Sequence, residues 1–253
     1  MSTLHDAFLK LGIRSLAHSL DDIIAHATRE RMSPREILEH ISTLELRERQ
    51  RRGLERRLVE SHIGRFKPIA DFDWNWPREI DRAYVEAALR LDFLTEARNI
   101  VLVAAQGLGK TMIAQNIAHA AVMAGHRVIF TTAAQLLLDL GGQDSARGLD
   151  RRLRHYEKAK LLCVDEVGYL SYDNRNADLL FQLINRRYEK KSVVLTTNLA
   201  FSAWPEIFPN AACTTALIDR VIHHADVIKI EGDSYRLRDA TQHKSSRKRS
   251  HAE

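Results

Sequence analysis

Eight residues from Ala104 to Thr111 read A-A-Q-G-L-G-K-T, one substitution away from the spacing G-x-x-x-x-G-K-[ST]. An apolar run, Asn99 to Ala104, precedes them, and a helical pattern from Lys110 onward follows. That context suits a phosphate cradle, because free N–H groups and the dipole at a helix start favour negative charge. Gly107 and Gly109 allow backbone conformations and close approach that a side chain would block. Lys110 is the cation for the β- and γ-phosphates, and the Thr111 hydroxyl is a Mg²⁺ ligand. The cofactors expected are therefore a nucleoside triphosphate and Mg²⁺, with Ala104, Ala105, Gln106, Gly107, Leu108, Gly109, Lys110, Thr111 and Met112 forming the nucleotide loop. The departure falls at Ala104, where the strand turns into the loop and a methyl group is tolerated if φ stays negative.

Two carboxylates follow in "LLCVDE", Leu161 to Glu166. A buried apolar strand ending in two acids leaves both in need of a partner. Asp165 in the Mg²⁺ shell and Glu166 polarising an attacking water would satisfy that need. In "VVLTTN" the strand ends in Thr196, Thr197 and Asn198, at the sheet edge where open α/β folds bind ligands. Asn198 can bond the attacking water or the γ-phosphate, or it is a turn asparagine. Arg220, beside Asp219, is either a paired structural residue or a finger reaching the γ-phosphate of a neighbouring subunit. The catalytic set is then Glu166, Lys110, Asn198 and Arg220, with Thr111 and Asp165 at the metal.

Placing these groups calls for an α/β fold. Short apolar strands, "NIVLVA", "HRVIFTT", "KLLCVDE" and "SVVLTTN", alternate with helical stretches such as "KTMIAQNIAHAAVMAG" and "NADLLFQLINRRYEKK". Continuous apolar strands between helices imply a parallel sheet covered on both faces. "DVIKIEGDSYRLR" reads mostly as a further strand. The first seventy residues read as helices, with Leu9, Ile13, Leu16 and Leu20 at helical spacing. Ser33, Pro34 and Glu36 form a capping box that opens a long basic helix. The expected layout is a helical domain over 1–70, a nucleotide domain over 71–240 and a disordered basic tail over 241–253. Phe72, Trp74 and Trp76 are read as packing at the domain junction, with a place near the base as the alternative.

The 253 residues carry 38 Lys and Arg against 33 Asp and Glu, unevenly spread. Residues 47–67 hold seven Arg and one Lys against three Glu. A second basic cluster spans 147–160. Such density suits a polyanion or a solvated helix face with Glu–Arg pairs. Arg51, Arg52, Arg56, Arg57, Arg151, Arg152 and Arg154 are the candidate contacts to such a polyanion, which would be DNA under the resemblance described below. No apolar run is long enough to span a bilayer, so the expected location is the cytoplasm, without a membrane partner. Cys163 reads as a buried thiol. The histidines form no recognised ligand spacing, and adjacent His223 and His224 would point apart on a helix.

"DEVGYL", "LFQLINRRYE" and "TTNLAFSAW", in this order after the glycine loop, resemble the IstB-type ATPases encoded beside the transposases of bacterial insertion sequences, within the AAA+ superfamily. The resemblance implies an AAA+ P-loop NTPase fold. It implies a DNA-stimulated ATP hydrolase that forms a homo-oligomer on double-stranded DNA and assists a partner transposase. Ala104, Ala105 and Gln106 stand where the family usually has glycine followed by proline or another small residue. Two alternatives stay open: a DnaC-type helicase loader, and a DNA-binding scaffold that uses ATP only to assemble.

Overall fold

A computed structural model describes residues 3–169, 172–209, 211–236 and 238. The chain divides into two compact units, Met1–Arg56 and Arg57–Glu253. The first contains α1 (Thr3–Lys10), α2 (Arg14–His18), α3 (Leu20–Arg29) and most of α4 (Pro34–Ser61). Leu16, Ala17, Leu20, Ile23 and Ala27 are its buried apolar residues. The capping box forms as the sequence requires. The Ser33 amide donates to Glu36 Oε2 at 2.6 Å, and the Glu36 amide donates to Ser33 Oγ at 3.3 Å. These bonds hold the Glu36 carboxyl below its ordinary range.

The division falls inside α4, not near residue 70. Residues 61–69 owe their position to contacts with a helix of the second unit, not to the change of composition at Pro68. The Ile63 carbonyl accepts from Gln115 Nε2 at 3.0 Å, the Lys67 carbonyl accepts from Asn116 Nδ2 at 2.9 Å, and Phe66 packs on His119.

The second unit runs β1 (Glu79–Ile80), α5 (Arg82–Arg90), β2 (Asn99–Ala104), α6 (Lys110–Met123), β3 (Val128–Thr132), α7 (Ala133–Gly141), α8 (Ala146–Lys158), β4 (Leu161–Val167), α9 (Asn174–Arg187), β5 (Ser192–Thr197), α10 (Trp204–Ile207), α11 (Ala211–Ile222) and β6 (Ala225–Glu231). The six strands lie in the order β1-β6-β2-β5-β4-β3. All neighbours are parallel except β1, which runs antiparallel to β6. Every residue of β5 is buried, as a strand covered on both faces must be. No described helix is long and apolar enough to cross a membrane.

Helix ends carry the expected chemistry. Gly125, at φ +91°, closes α6 with two backbone bonds, Gly125 to Val122 and His126 to Ala121. Buried Arg187 closes α8 from outside. Its Nη1 donates to the carbonyls of Tyr156 at 2.7 Å and Ala159 at 2.9 Å, and its Nη2 donates to the Ser192 carbonyl at 2.6 Å. Burial brings its pKa down to about 10. One guanidinium thus ties the end of α8 to the start of β5. Cys163 is buried in β4, and burial pushes its thiol up.

One strand expectation needs correction. "DVIKIEGDSYRLR" is strand only through Glu231. Gly232, at φ +148°, turns the chain, and the Arg238 amide bonds back to the Ser234 carbonyl at 3.3 Å in a helical turn. The tail expected to be disordered, 241–253, lies outside the described residues.

Candidate nucleotide site

β2 delivers the chain to the glycine loop at the carboxyl edge of the sheet. Ala104 is the last strand residue, buried at 5% exposure and paired in register with Ile230. It is not among the residues with positive φ, so its methyl group meets no backbone penalty. The conformational demand falls instead on Gly107 and Gly109, at φ +80° and +87°. A Cβ on Gly107 would collide with the Ser234 hydroxyl, and one on Gly109 would lie 2.5 Å from the Phe72 ring. Both glycines are required twice over, by conformation and by space.

Gly109 is the N-cap residue of α6. Lys110 then lies in the first turn, and its Nζ donates to the carbonyls of Ala104 at 2.7 Å and Ala105 at 2.8 Å. Burial lowers its pKa; Asp165 and Glu166 oppose this, and Arg236 adds to it. Thr111 Oγ1 lies 3.0 Å from Asp165 Oδ2 and 3.2 Å from Oδ1. Asp165 is buried, and Thr196 Oγ1 also donates to its Oδ1. A buried carboxylate served by neutral hydroxyls, with one of them alongside as a second hard oxygen, is a donor set that fits Mg²⁺.

Glu166 is set apart from Asp165 by a register slip between Val164 and Val167, where β4 pairs with β5. It adopts φ +61°, a conformation costly for a non-glycine residue, and its side chain is exposed. Its amide donates to Thr196 Oγ1 at 2.9 Å. Thr196 therefore touches both acids, although the sequence marks it only as a polar strand end.

These residues share one cleft of about 450 Å³. Gln106 through Met112, Glu166, Thr196 and Asn198 line it; Ala104 and Ala105 do not. Two further walls complete it. Phe72 and Trp76 form one, in line with the alternative of a place near the base, whereas Trp74 does not line it and packs on Phe72 and under Arg82. Tyr235 and Arg236 form the other. The Tyr235 amide donates to the Gly107 carbonyl at 3.0 Å, and Trp76 Nε1 donates to the Asp233 carbonyl at 2.9 Å. The aromatic run itself was the available signal; only contact across 157 positions shows which way Trp76 faces.

A family model described as "IstB-like ATP binding protein" matches residues 7–243. The chain belongs to the IstB-like ATP-binding family. Among IstB-like relatives, the one from Pseudomonas aeruginosa, named for insertion sequence IS21, is 34% identical over 94% of this chain and 90% of its own. One from Bacillus thuringiensis subsp. berliner, named for IS232, is 34% identical over 90% of this chain and 92% of its own. Both are named as ATP-binding proteins of insertion sequences. In three dimensions this IstB-like chain is similar to the crystal structure of DnaI, with TM-score 0.55 and 17% identity over 68% of this chain and 91% of that one. It is also similar to the replication initiator DnaA bound to AMPPCP and single-stranded DNA, with TM-score 0.52 and 19% identity over 64% and 52%. These likenesses establish the AAA+ fold. The chain is thus a member of the IstB-like ATP-binding family with an AAA+ fold.

The other expected site residues are not among those that line the cleft. Arg220 sits 4.6 Å over the Phe181 ring, and its buried Nη1 has no hydrogen-bond partner among the described residues. Arg51 pairs with Glu48 and Glu55, and Arg52 with Glu45 and Glu48. Arg56 is exposed and Arg57 half-buried. On α8, Arg152 turns toward Asp139 at 2.5 Å, which also accepts from the Tyr156 hydroxyl. Arg154 pairs with Asp150 at 2.9 Å. Arg147, Arg151, Arg154 and Lys158 are exposed and follow i, i+4, i+7, i+11 spacing. Leu149, Leu153 and Tyr156 follow the same rhythm two residues later, about 200° around the helix, and pack on the core. Arg152 therefore lies off the exposed row.

Proposed function

We propose that this chain is an ATP-hydrolysing helper of DNA transposition, which assembles as a homo-oligomer on duplex DNA and directs or activates a partner transposase. The observation that carries the reading is the convergence of Lys110, Thr111, Glu166, Thr196 and Asn198 on one cleft, with Asp165 bonded to its wall. Family membership and the insertion-sequence names of its relatives supply the biological setting.

In this reading the loop amides and Lys110 hold the phosphates, and Phe72 and Trp76 offer aromatic faces to the base. Thr111 and Asp165 hold Mg²⁺, which neutralises charge on the phosphates when bound. Glu166 accepts the proton of the attacking water, and Asn198 positions that water against the γ-phosphate. Arg220 lies off its own cleft, so it acts on the cleft of a neighbouring subunit. The exposed row on α8, with Arg151 and Arg154 at its centre, reads the DNA backbone. Arg56 and Arg57 add to the DNA surface, and Arg51 and Arg52 add less because glutamates already hold them. Residues 1–70 serve partner binding and oligomerisation.

The test is ATP turnover with and without duplex DNA, together with capture of purified transposase and of purified replicative helicase. Stimulation by duplex and capture of the transposase support the reading. Negligible turnover in both conditions would favour the assembly scaffold, and capture of the helicase alone would favour a loader. For Arg220, inactive Arg220→Ala subunits mixed with inactive Lys110→Ala subunits should regain activity, because each supplies what the other lacks.

A further inference from the structure

The loop after α9 and the turn after α11 meet at the amino edge of the sheet. Asn99, the first residue of β2, ties the start of β5 to the end of α11 and the turn that follows it. Its amide donates to the His224 carbonyl at 2.7 Å, its Nδ2 to the Val221 carbonyl at 3.1 Å, and its Oδ1 accepts from the Val193 amide at 2.9 Å. The nucleotide loop lies at the other end of β2, about 20 Å away for a strand of this length.

At this edge Glu189, His223 and His224 each present one ligand atom within 4.8 Å of the other two. The sequence expectation that adjacent histidines point apart fails here for a simple reason. α11 ends at Ile222, so both residues lie in the turn. Their ring centroids are 4.0 Å apart, at an interplanar angle of 57°. His224 Nε2 is already 3.3 Å from Glu189 Oε1. Tyr188 places its hydroxyl 2.8 Å from His223 Nδ1 and so fixes that ring. Glu189 adopts φ +56°, sparsely populated for a residue with a Cβ.

We propose that Glu189, His223 and His224 form a binding site for a divalent transition-metal ion of the zinc class, with water completing the coordination. Two imidazoles and one carboxylate suit zinc, cobalt or nickel, whereas Mg²⁺ and Ca²⁺ prefer oxygen throughout. Ligands at about 2.0–2.2 Å from a tetrahedral ion stand about 3.3–3.6 Å from one another. The three side chains are exposed, so small rotations bring them from 4.8 Å into that range. The Tyr188 hydroxyl supplies the partner that orients a ligating histidine. The ion would brace the loop after α9 against the end of α11, independently of nucleotide.

The test is zinc titration of the full-length, metal-free chain by calorimetry without nucleotide, with Co²⁺ absorption as a second readout. One equivalent per chain is expected, with the thermal midpoint rising on zinc addition. His223→Ala/His224→Ala should lose that equivalent and the thermal shift. Glu189→Gln should weaken binding about tenfold or more. The control is His26→Ala/His40→Ala, which removes the ring pair 5.3 Å apart in the first unit and should leave binding unchanged. Each variant is compared with wild type by melting in chelator, so loss of fold is separated from loss of a ligand. Binding unchanged in both His223→Ala/His224→Ala and Glu189→Gln, binding lost only in the control, or no saturable binding in wild type would overturn the proposal.

Discussion

The Thr196 hydroxyl accepts a hydrogen bond from the Glu166 amide at 2.9 Å. The same hydroxyl donates to Asp165, so one side chain on β5 holds both acids of β4 at the bulge that separates them. Thr196→Val keeps the shape and removes both bonds. ATP turnover should fall about 10- to 100-fold, the usual loss when a group supporting a metal ligand is removed. Thr196→Ser should restore most of it. Steady-state kinetics over a range of Mg²⁺ concentrations checks this, since the valine variant should also need more Mg²⁺.

Glu166 is exposed and lines the cleft. Glu166→Gln should bind ATP normally and turn over at least about 100-fold more slowly, the scale of a lost general base. Nucleotide affinity and phosphate release, measured on the same preparation, separate the two effects. Wild-type turnover would remove Glu166 from the chemistry.

Lys110→Ala should abolish nucleotide binding. The pH dependence of wild-type affinity is a finer check. Burial lowers the Lys110 pKa, so it loses its proton at a pH below the ordinary lysine value of 10.5. Only the charged form attracts phosphate, so ATP affinity should decline before that pH is reached. Bound phosphate restores the charged form, and ATP binding in this alkaline range should take up protons. Calorimetry in buffers of different ionisation enthalpy measures that uptake.

Arg151 and Arg152 are neighbours with different surroundings. Arg151→Ala should weaken duplex binding and reduce the salt slope by about 0.9, one phosphate contact. Arg152→Ala should leave the slope nearly unchanged. It should instead cost about 1 kcal/mol of stability, a modest figure because the Arg152 side chain is 39% exposed. Binding curves at several salt concentrations and chemical denaturation test the pair.

Arg187→Met removes the donors that hold the end of α8 to β5. The carbonyls of Tyr156, Ala159 and Ser192 would each lose a buried donor. A loss of about 3 kcal/mol is expected. For a unit of this size that lowers the melting midpoint by about 6–12 °C. Thermal denaturation measures it, with Arg187→Lys recovering only part because an ammonium cannot span the same carbonyls.

The strand–loop–helix around the glycines, the two acids at a strand end and the parallel sheet were legible in the sequence, because each is a local pattern. A glycine before a lysine at a strand–helix junction, or an apolar run ending in two acids, carries its meaning within a few residues. The capping box at Ser33 and the helix stop at Gly125 are local in the same sense. Contacts between distant segments were not legible. Trp76 faces the loop because Asp233 and Tyr235 meet it from the far end of the unit. Thr196 reaches Asp165 and Glu166 only because β5 lies beside β4 in the sheet. Arg152 and Arg151 have the same residue type and differ by about 100° of helix rotation. His223 and His224 converge because α11 stops at Ile222, one residue before the first of them. The amino-acid sequence by itself determined which groups could perform phosphate chemistry. The tertiary structure decided which groups stand within hydrogen-bond reach, since that depends on strand order, register and where each helix ends.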